Sequence, residues 1–476
     1  MSKFRLFLEN FFIYGFGSAI SKVIPFIMLP IVTRLIPDTK YYGISDLSST
    51  IVVLASAVGV MGMYDAMYRM FFEREEQSYK IKVCSTAFFF CLCNSFAVFV
   101  LLLFFKDWLA ELFFKNTEYA YLIYITAVAT LVGSTNAIVS APTRMQNKRM
   151  VFVMMNTVTP IVGYAVSIPL LLKGYYVIAL PLAAMVSAIL TELVFVVLNH
   201  SWFRLVDIDS HILKELLQIA IPLFPVFICY WALDSCNRVI LSNLVGSAQV
   251  GIYAVGAKLG AVSQLIYAAF AGGWQYFAFA TMKDSNQVRN NTLVFEYLGT
   301  ISFVATMFVC AFSYEVYRLF FVGDYVKGYL VAPYLFLAPL LLMLYQIIGN
   351  QFLVVKKTWP SLLLVMCGAA VNIVMNLTLI PVLGIEGSAI GSVIGYATTV
   401  VITSVVLCKL KLMKFYWRFA KVAILFVCYF LIWRLMFVDK IVPTFLLACL
   451  VTSVILWIYR SELLWVKKMI EGMKTK

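Results

Sequence analysis

Fourteen long apolar runs divide this chain, and they constrain its fold more than any other feature. Each is about 20 residues long or longer, which is the length an α-helix needs to cross the hydrocarbon core of a bilayer. The runs cover residues 11–36, 44–68, 83–105, 119–141, 151–172, 176–198, 214–236, 250–280, 293–313, 328–354, 361–381, 387–408, 419–438 and 442–460. They are continuous rather than alternating, which favours helices over a membrane β-barrel. The sequence therefore predicts an all-α polytopic membrane protein with about 14 transmembrane helices.

Composition agrees with this class. Hydrophobic residues make up 63% of the chain and charged residues only 13%, and the mean hydropathy is +0.93. The net charge of +14 is better explained by basic cytoplasmic loops than by a nucleic-acid partner. Most of the ten cysteines lie inside apolar runs, where they are expected to be small core residues rather than a disulfide framework or a metal site.

Lysine and arginine are distributed unevenly between the two sides of the predicted bundle. The termini and the even-numbered loops hold 25 of them, whereas the odd-numbered loops hold 9. Because basic residues concentrate in cytoplasmic loops, this bias places both termini in the cytoplasm. An even number of spans also requires both termini on one side.

The chain reads as two copies of one six-helix unit. The first span ends in Thr-Arg-Leu around Arg34, and the seventh ends at Asn-Arg-Val around Arg238. Each is followed by a glycine in an apolar context, at Gly43 and Gly251. Similar segments also begin at Ile168 and Ile380. The near-constant offset of these matches indicates an internal repeat.

A repeat of six helices enters the membrane from the same side each time, so the two copies are parallel lobes around a central cavity. The predicted division is an N-terminal lobe over 1–210, a C-terminal lobe over 211–415, and an extra helix pair with a basic cytoplasmic tail over 416–476. In such transporters the substrate site lies between the repeats near mid-membrane.

Ionisable residues inside the spans or just beyond their ends mark the candidate site, because a charge in the hydrocarbon core is costly unless it faces water, a counter-ion or a ligand. Lys22 is the strongest candidate, since it lies about 16 Å along the first helix and so close to the midplane. The candidate cavity cations are Lys22, Arg34, Arg69, Arg238 and Lys258. The candidates for ion coupling or charge balance are Asp65, Glu192 and Asp234. A mostly cationic set suits an anionic solute such as a phosphate or pyrophosphate.

Alternative readings apply to several of these residues. Asp65 and Arg69 are four apart, as are Asp234 and Arg238, so each pair could be a structural ion pair on one helix face. Aromatic groups such as Tyr230-Trp231 and Trp274–Tyr276 could stack on sugar rings. An aromatic belt at the headgroups is the favoured interpretation for most of them.

Nothing in the sequence indicates an enzyme. The chain has no phosphate-binding loop of the nucleotide-hydrolysing type. Its two histidines, His200 and His211, share one loop with acidic residues that is expected to be solvated. No catalytic residue, metal site or cofactor is therefore expected.

Several stretches resemble Wzx-type O-antigen and capsular polysaccharide flippases, which belong to the multidrug/oligosaccharidyl-lipid/polysaccharide (MOP) exporter superfamily. The matching segments are GFGSAISKVIPFIMLPIVTRLIP from Gly15, YYGISDL from Tyr41, GMYDAMYRMFFE from Gly62, DSCNRVILSNLVGSAQVGIYAVGAKL from Asp234 and IPVLGIEGSAIGSVIGY from Ile380. The resemblance covers nearly the whole length.

This resemblance implies a flippase of the bacterial inner membrane. Its substrate would be an undecaprenyl-diphosphate-linked oligosaccharide used in O-antigen, lipopolysaccharide, capsule or exopolysaccharide synthesis, moved by ion-gradient-driven alternating access. Membrane lipids, a polysaccharide polymerase and a chain-length regulator would be its partners. The charge pattern that lipid II flippases of the same superfamily carry in their first two helices is absent, which argues against a peptidoglycan precursor.

Two other functions stay open at the level of sequence. A drug/ion antiporter of the same superfamily would usually have twelve helices and an acidic cavity. A membrane glycan polymerase or ligase would be expected to carry a large external loop, and no outer loop here exceeds about 15 residues.

Overall fold

The protein is helical along its described length, and its helices follow the order of the predicted spans. The computed structural model describes residues 23–146, 148–280, 286–354 and 359–462, with side chains at all of these positions except 149, 205, 261, 268–280, 353 and 354. The helices are α1 Val23–Leu35, α2 Thr39–Val60, α3 Met63–Phe71, α4 Gln77–Phe104, α5 Lys106–Phe114, α6 Tyr121–Val139, α7 Ala141–Met145, α8 Arg149–Leu172, α9 Ala179–Asn199, α10 Ser210–Asp234, α11 Cys236–Val245, α12 Ser247–Ala280, α13 Gln287–Phe320, α14 Ala332–Val354, α15 Trp359–Leu383, α16 Ile385–Lys409, α17 Trp417–Ile432 and α18 Ile441–Ile458.

Short irregular helical turns complete the chain. Turns of 3-10 helix cover Thr117–Ala120, His200–Trp202, Leu205–Asp207 and Gly323–Leu330, and a π-helical turn covers Trp433–Phe437. Within the described ranges, 13 stretches are long and apolar enough to cross a membrane, and α1 is the described part of the first predicted span. The predicted all-α architecture of about fourteen spans is therefore confirmed.

Local sequence explains where several helices begin. Asp38 precedes α2, and its carboxylate accepts a hydrogen bond from the backbone N–H of Lys40 at 2.8 Å. Asp209 precedes α10 in the same way and accepts from the N–H of His211 at 2.9 Å. Each carboxylate satisfies a backbone donor that has no partner in the first helical turn.

The second predicted span is two helices rather than one. Met61 and Gly62 have φ angles of 48° and 75°, so the chain makes a left-handed turn between α2 and α3. A Cβ atom at Gly62 would lie 2.7 Å from the carbonyl oxygen of Ala220 in α10. Glycine therefore meets both the conformation and the close approach of α10.

Helices α2 and α12 cross at the glycines that the repeat relates. We call the side of the bundle on which α1 connects to α2 the loop-1 side. Near it, a Cβ on Gly43 would lie 1.8 Å from the carbonyl oxygen of Ser247, and one on Gly251 would lie 2.0 Å from that of Thr39. The two backbones can approach this closely only because neither glycine carries a side chain.

Further contacts join the first half (α1–α9) to the second half (α10–α16). On the loop-1 side, α5 lies against α11, where the Ser242 hydroxyl donates to the carbonyl of Phe113 at 2.8 Å and the Asn243 amide to that of Leu112 at 2.7 Å. On the opposite side, methionines of α3 pack with Leu216 and Ala220 of α10. The halves therefore meet on both sides of the bundle, whereas the lobe boundaries at 210 and 415 stay a prediction.

The extra pair, α17 and α18, is attached to the second half by two ion pairs in which the carboxylate is buried and the arginine is partly exposed. Arg418 of α17 binds Glu296 of α13, with one nitrogen 2.9 Å from the carboxylate. Arg434 in the π-helical turn binds Glu386 of α16, with one nitrogen at 2.6 Å. These contacts lie at opposite ends of α17, so α17 is attached to the second half at both of its ends.

Candidate functional site

A cavity of about 730 Å³ lies between the two halves. Its first-half wall comes from α2, through Asp46, Val53 and Ala57, and the rest comes from α10, α11, α12, α14 and α16 of the second half. Volumes of roughly 300–1,000 Å³ are typical of sites for small organic ligands. The cavity is therefore large enough for such a ligand and is built unequally from the two halves.

The described charged residues of this cavity are balanced. They are Asp46, Asp234, Arg238 and Lys258. The guanidinium of Arg238 lies 2.7 Å from a carboxylate oxygen of Asp46, and both side chains are mostly buried. A second Arg238 nitrogen donates to the backbone carbonyl of Asp234 at 2.7 Å. This ion pair joins α2 of the first half to α11 of the second.

Aromatic and amide side chains cover much of the remaining wall. The aromatic lining residues are Phe227, Tyr230, Trp231, Tyr253, Tyr267 and Tyr396. Gln346 donates a hydrogen bond to the Tyr267 hydroxyl. The Asn237 amide donates to the hydroxyls of Tyr253 at 2.6 Å and Ser392 at 2.9 Å. Tyr230 and Trp231 thus face the cavity, and the side chains of Trp274–Tyr276 lie outside the described residues.

The structure separates the cations predicted for the cavity. Arg238 and Lys258 line it. Arg34 is exposed and lies instead in an apolar groove of about 500 Å³ between α1, α12 and α13. Arg69 is also exposed, and its guanidinium lies 3.9 Å from Glu73 rather than being joined to Asp65. Lys22 lies outside the described residues.

The predicted acids also lie in different places. Asp234 lines the cavity, whereas Asp65 is exposed on α3. Glu192 is partly buried on α9 and has Thr135 of α6 as a hydrogen-bonding neighbour. Its second carboxylate oxygen is buried and has no hydrogen-bond partner. A pocket of about 400 Å³, lined partly by Thr191 next to it, lies among α6, α8 and α9.

Sequence reasoning missed the residue that pairs with Arg238. Asp46 lies in the second span, one turn after Gly43, so the rule that flags charges inside spans could have identified it. Asn237, Tyr267 and Gln346 gave no comparable signal, because uncharged polar and aromatic residues are common in membrane helices. Among the described residues, no cluster of three or more His, Cys, Asp or Glu could hold a metal ion.

Comparison with solved structures shows which proteins share this fold. A lipid II flippase, MurJ, in an inward closed conformation superimposes with a TM-score of 0.69 at 16% identity, over 94% of this chain and 99% of that one. An inward-facing multidrug resistance MATE family transporter of the MOP superfamily gives 0.61 at 15% identity, over 82% and 94%. A MOP superfamily transporter from Pyrococcus furiosus, described by the reverse polarity of its binding pocket, gives 0.63 at 14% identity, over 85% and 95%.

The helices and the fold shared with these transporters define a multi-pass helical membrane protein with a cavity between its halves. Residues 7–275 match the family described as polysaccharide biosynthesis protein. This match spans more than half of the chain, so the protein belongs to that family. Sequence comparison with individual curated proteins gave no significant match.

Proposed function

We propose that this protein is a flippase that moves undecaprenyl-diphosphate-linked oligosaccharide repeat units across the bacterial inner membrane. The observation that carries the proposal is the cavity between the halves, lined by aromatic, amide and charged groups, in a chain of the polysaccharide biosynthesis family. A saccharide headgroup needs such a polar passage because its hydroxyls cannot be desolvated in hydrocarbon without partners.

The charge bias assigns the orientation. With basic loops in the cytoplasm, both termini are cytoplasmic and the loop-1 side faces the periplasm. The Gly43–Gly251 crossing and the Asp46–Arg238 pair then hold the periplasmic side together. Alternating access requires these contacts to separate when the substrate leaves, with the halves rocking about the cavity.

The cavity charges have complementary roles in this proposal. Lys258, and Arg238 once its pair with Asp46 separates, neutralise the diphosphate or acidic sugars, and Asp46 and Asp234 balance these cations when the cavity is empty. We propose a further positive charge for the substrate at Lys22, which lies outside the described residues, and Arg34 and Arg69 meet the phosphate near the two membrane surfaces. No reaction is catalysed. A polysaccharide polymerase and a chain-length regulator take over the product on the periplasmic side.

Deletion of the protein tests this function directly. We expect lipid-linked repeat units to accumulate in the cytoplasmic leaflet and the surface glycan to be lost, because the headgroup cannot cross unaided. The measurement is the leaflet distribution of the lipid-linked saccharide, probed with a membrane-impermeant glycosidase or lectin. Single repeat units displayed outside the mutant would point instead to a polymerase, since flipping would then be intact.

A drug/ion antiporter is the second candidate, and the two carboxylates in the cavity favour it. Asp46 and Asp234 would then attract a cationic drug. The deletion strain distinguishes the two, because an antiporter mutant would become drug-sensitive and keep a normal surface glycan. Arg238 argues against an antiporter, because its guanidinium already forms an ion pair with the Asp46 carboxylate.

A substitution at Glu192 tests whether transport is coupled to protons. Its buried oxygen without a partner suits a carboxyl group that gains and loses a proton, because an unpaired buried charge is costly. We expect Glu192→Gln to make transport in proteoliposomes insensitive to an imposed pH gradient. The matched control is Glu315→Gln, which removes a carboxylate near the loop-1 end of α13. It should leave the response to the pH gradient unchanged. An unchanged response to the gradient in Glu192→Gln would remove this residue from coupling.

A further inference from the structure

The wall of the central cavity has the chemistry of a carbohydrate site. Trp231 and Tyr267 are only partly buried there, so each presents aromatic surface to the cavity. They lie on different helices, α10 and α12. Aromatic rings combine a flat apolar face with a polar edge, which matches a sugar ring with its C–H faces and peripheral hydroxyls.

Polar atoms on this wall are left without partners inside the protein. The indole N–H of Trp231 is a buried donor with no acceptor, and the amide oxygen of Asn237 is a buried acceptor with no donor. Asn237 is 1% exposed, and both of its other hydrogen bonds run through its nitrogen to Tyr253 and Ser392. Unsatisfied buried polar groups are rare in folded proteins and require an explanation.

The charges of the cavity favour the same ligand class. Arg238 and Asp46 bind each other, so the aromatic wall faces a region whose formal charge is balanced. A neutral ligand that both donates and accepts hydrogen bonds fits these groups better than a multiply charged anion does. Hydroxyl groups do both.

Resting on the proposed function, we infer that the second half of the cavity is the saccharide subsite, in which Trp231 and Tyr267 stack on sugar rings and Asn237 and Gln346 bind their hydroxyls. The diphosphate lies outside this aromatic wall, toward Lys258, which also lines the cavity. Selection among lipid-linked substrates therefore depends on residues of α10, α11, α12 and α14.

Binding of two lipids to the purified full chain tests this subsite. The probes are undecaprenyl diphosphate and the lipid-linked saccharide pool extracted from the native host, measured by native mass spectrometry in detergent. We expect wild type to bind the saccharide-bearing lipid about tenfold or more tightly than the bare diphosphate, as central aromatic contacts do at other binding sites. Trp231→Leu and Tyr267→Leu should abolish this preference and keep the affinity for the bare lipid.

Matched variants keep the result interpretable. Trp457→Leu removes an indole that is 66% exposed on α18, outside the cavity, and should retain the preference. Tyr267→Phe keeps the aromatic ring and should retain most of the preference for the saccharide-bearing lipid. This variant still tests the subsite if a leucine variant fails to fold.

The outcomes separate the inference from the function on which it rests. If wild type binds both lipids equally, or if Trp231→Leu keeps the preference, the subsite is wrong while the flippase function stands. Ethidium, a planar cation, serves as a competitor for the saccharide lipid. If ethidium displaces that lipid from wild type, and if Trp231→Leu leaves the affinity for the lipid unchanged, the subsite is also wrong. If neither lipid binds, the proposed function itself fails.

Discussion

Replacing Arg238 with glutamine should sharply reduce surface glycan while the protein still inserts in the membrane. Arg238 and Asp46 are 17% and 15% exposed, and their pair joins the two halves on the loop-1 side. Removing one partner of a buried pair costs about 3–5 kcal/mol, since the other charge is left uncompensated. This free-energy cost destabilises the conformer that is closed on the loop-1 side. A change of about 1.4 kcal/mol already shifts a two-state population tenfold.

Thiol labelling measures the expected shift toward an open loop-1 side. Ala257→Cys places a thiol on the cavity wall of α12, in a background with the ten native cysteines replaced. With Arg238→Gln, a membrane-impermeant maleimide added from the loop-1 side should react faster. The exchanged pair, Asp46→Arg with Arg238→Asp, should restore part of the closure and of the glycan.

An exposed ion pair supplies the control for this prediction. Arg69 and Glu73 lie 3.9 Å apart with side chains 68% and 47% exposed. Such surface pairs contribute about 0–1 kcal/mol, so Arg69→Gln should leave the labelling rate from the loop-1 side unchanged. If Arg238→Gln labels no faster than Arg69→Gln, the pair does not hold the loop-1 side closed.

Replacing Arg418 with methionine should be among the most destabilising single changes in this protein. It leaves Glu296, which is 1% exposed, without its arginine partner. The expected cost is about 3–5 kcal/mol, because a buried carboxylate would stay charged without compensation or take up a proton. The measurement is the Tm of the purified full chain in detergent, which should fall by several degrees.

Two further variants isolate the charge from the packing. Lys327→Met breaks an exposed pair with Asp324 and should leave the Tm nearly unchanged. The double variant Glu296→Gln with Arg418→Met should recover part of the loss, since position 296 then carries no buried charge. An Arg418→Met protein as stable as wild type would mean that the Arg418–Glu296 pair contributes little to the attachment of α17.

Several features of this fold could be predicted because they depend on neighbouring residues in the chain. Hydropathy over about 20 residues is set by local composition, so the spans and the overall class follow from the sequence. The repeat is predicted for the same reason, since Gly43 and Gly251 occupy similar local contexts. That these two glycines meet was not predictable, because contact between distant segments depends on how the halves are arranged.

For the candidate site too, the sequence predicts some features, and only the tertiary structure supplies the others. The sequence by itself determined that Arg238 and Lys258 lie within apolar surroundings, where charge marks a cavity or a partner. Helical periodicity offered Asp234 as the partner of Arg238, because it relates only residues of one helix. The tertiary structure decided otherwise, since the close crossing of α2 and α12 brings Asp46 to within 2.7 Å of a residue 192 positions away. In the same arrangement, α10 and α12 place Trp231 and Tyr267 on one cavity wall, a proximity that no spacing in the chain records.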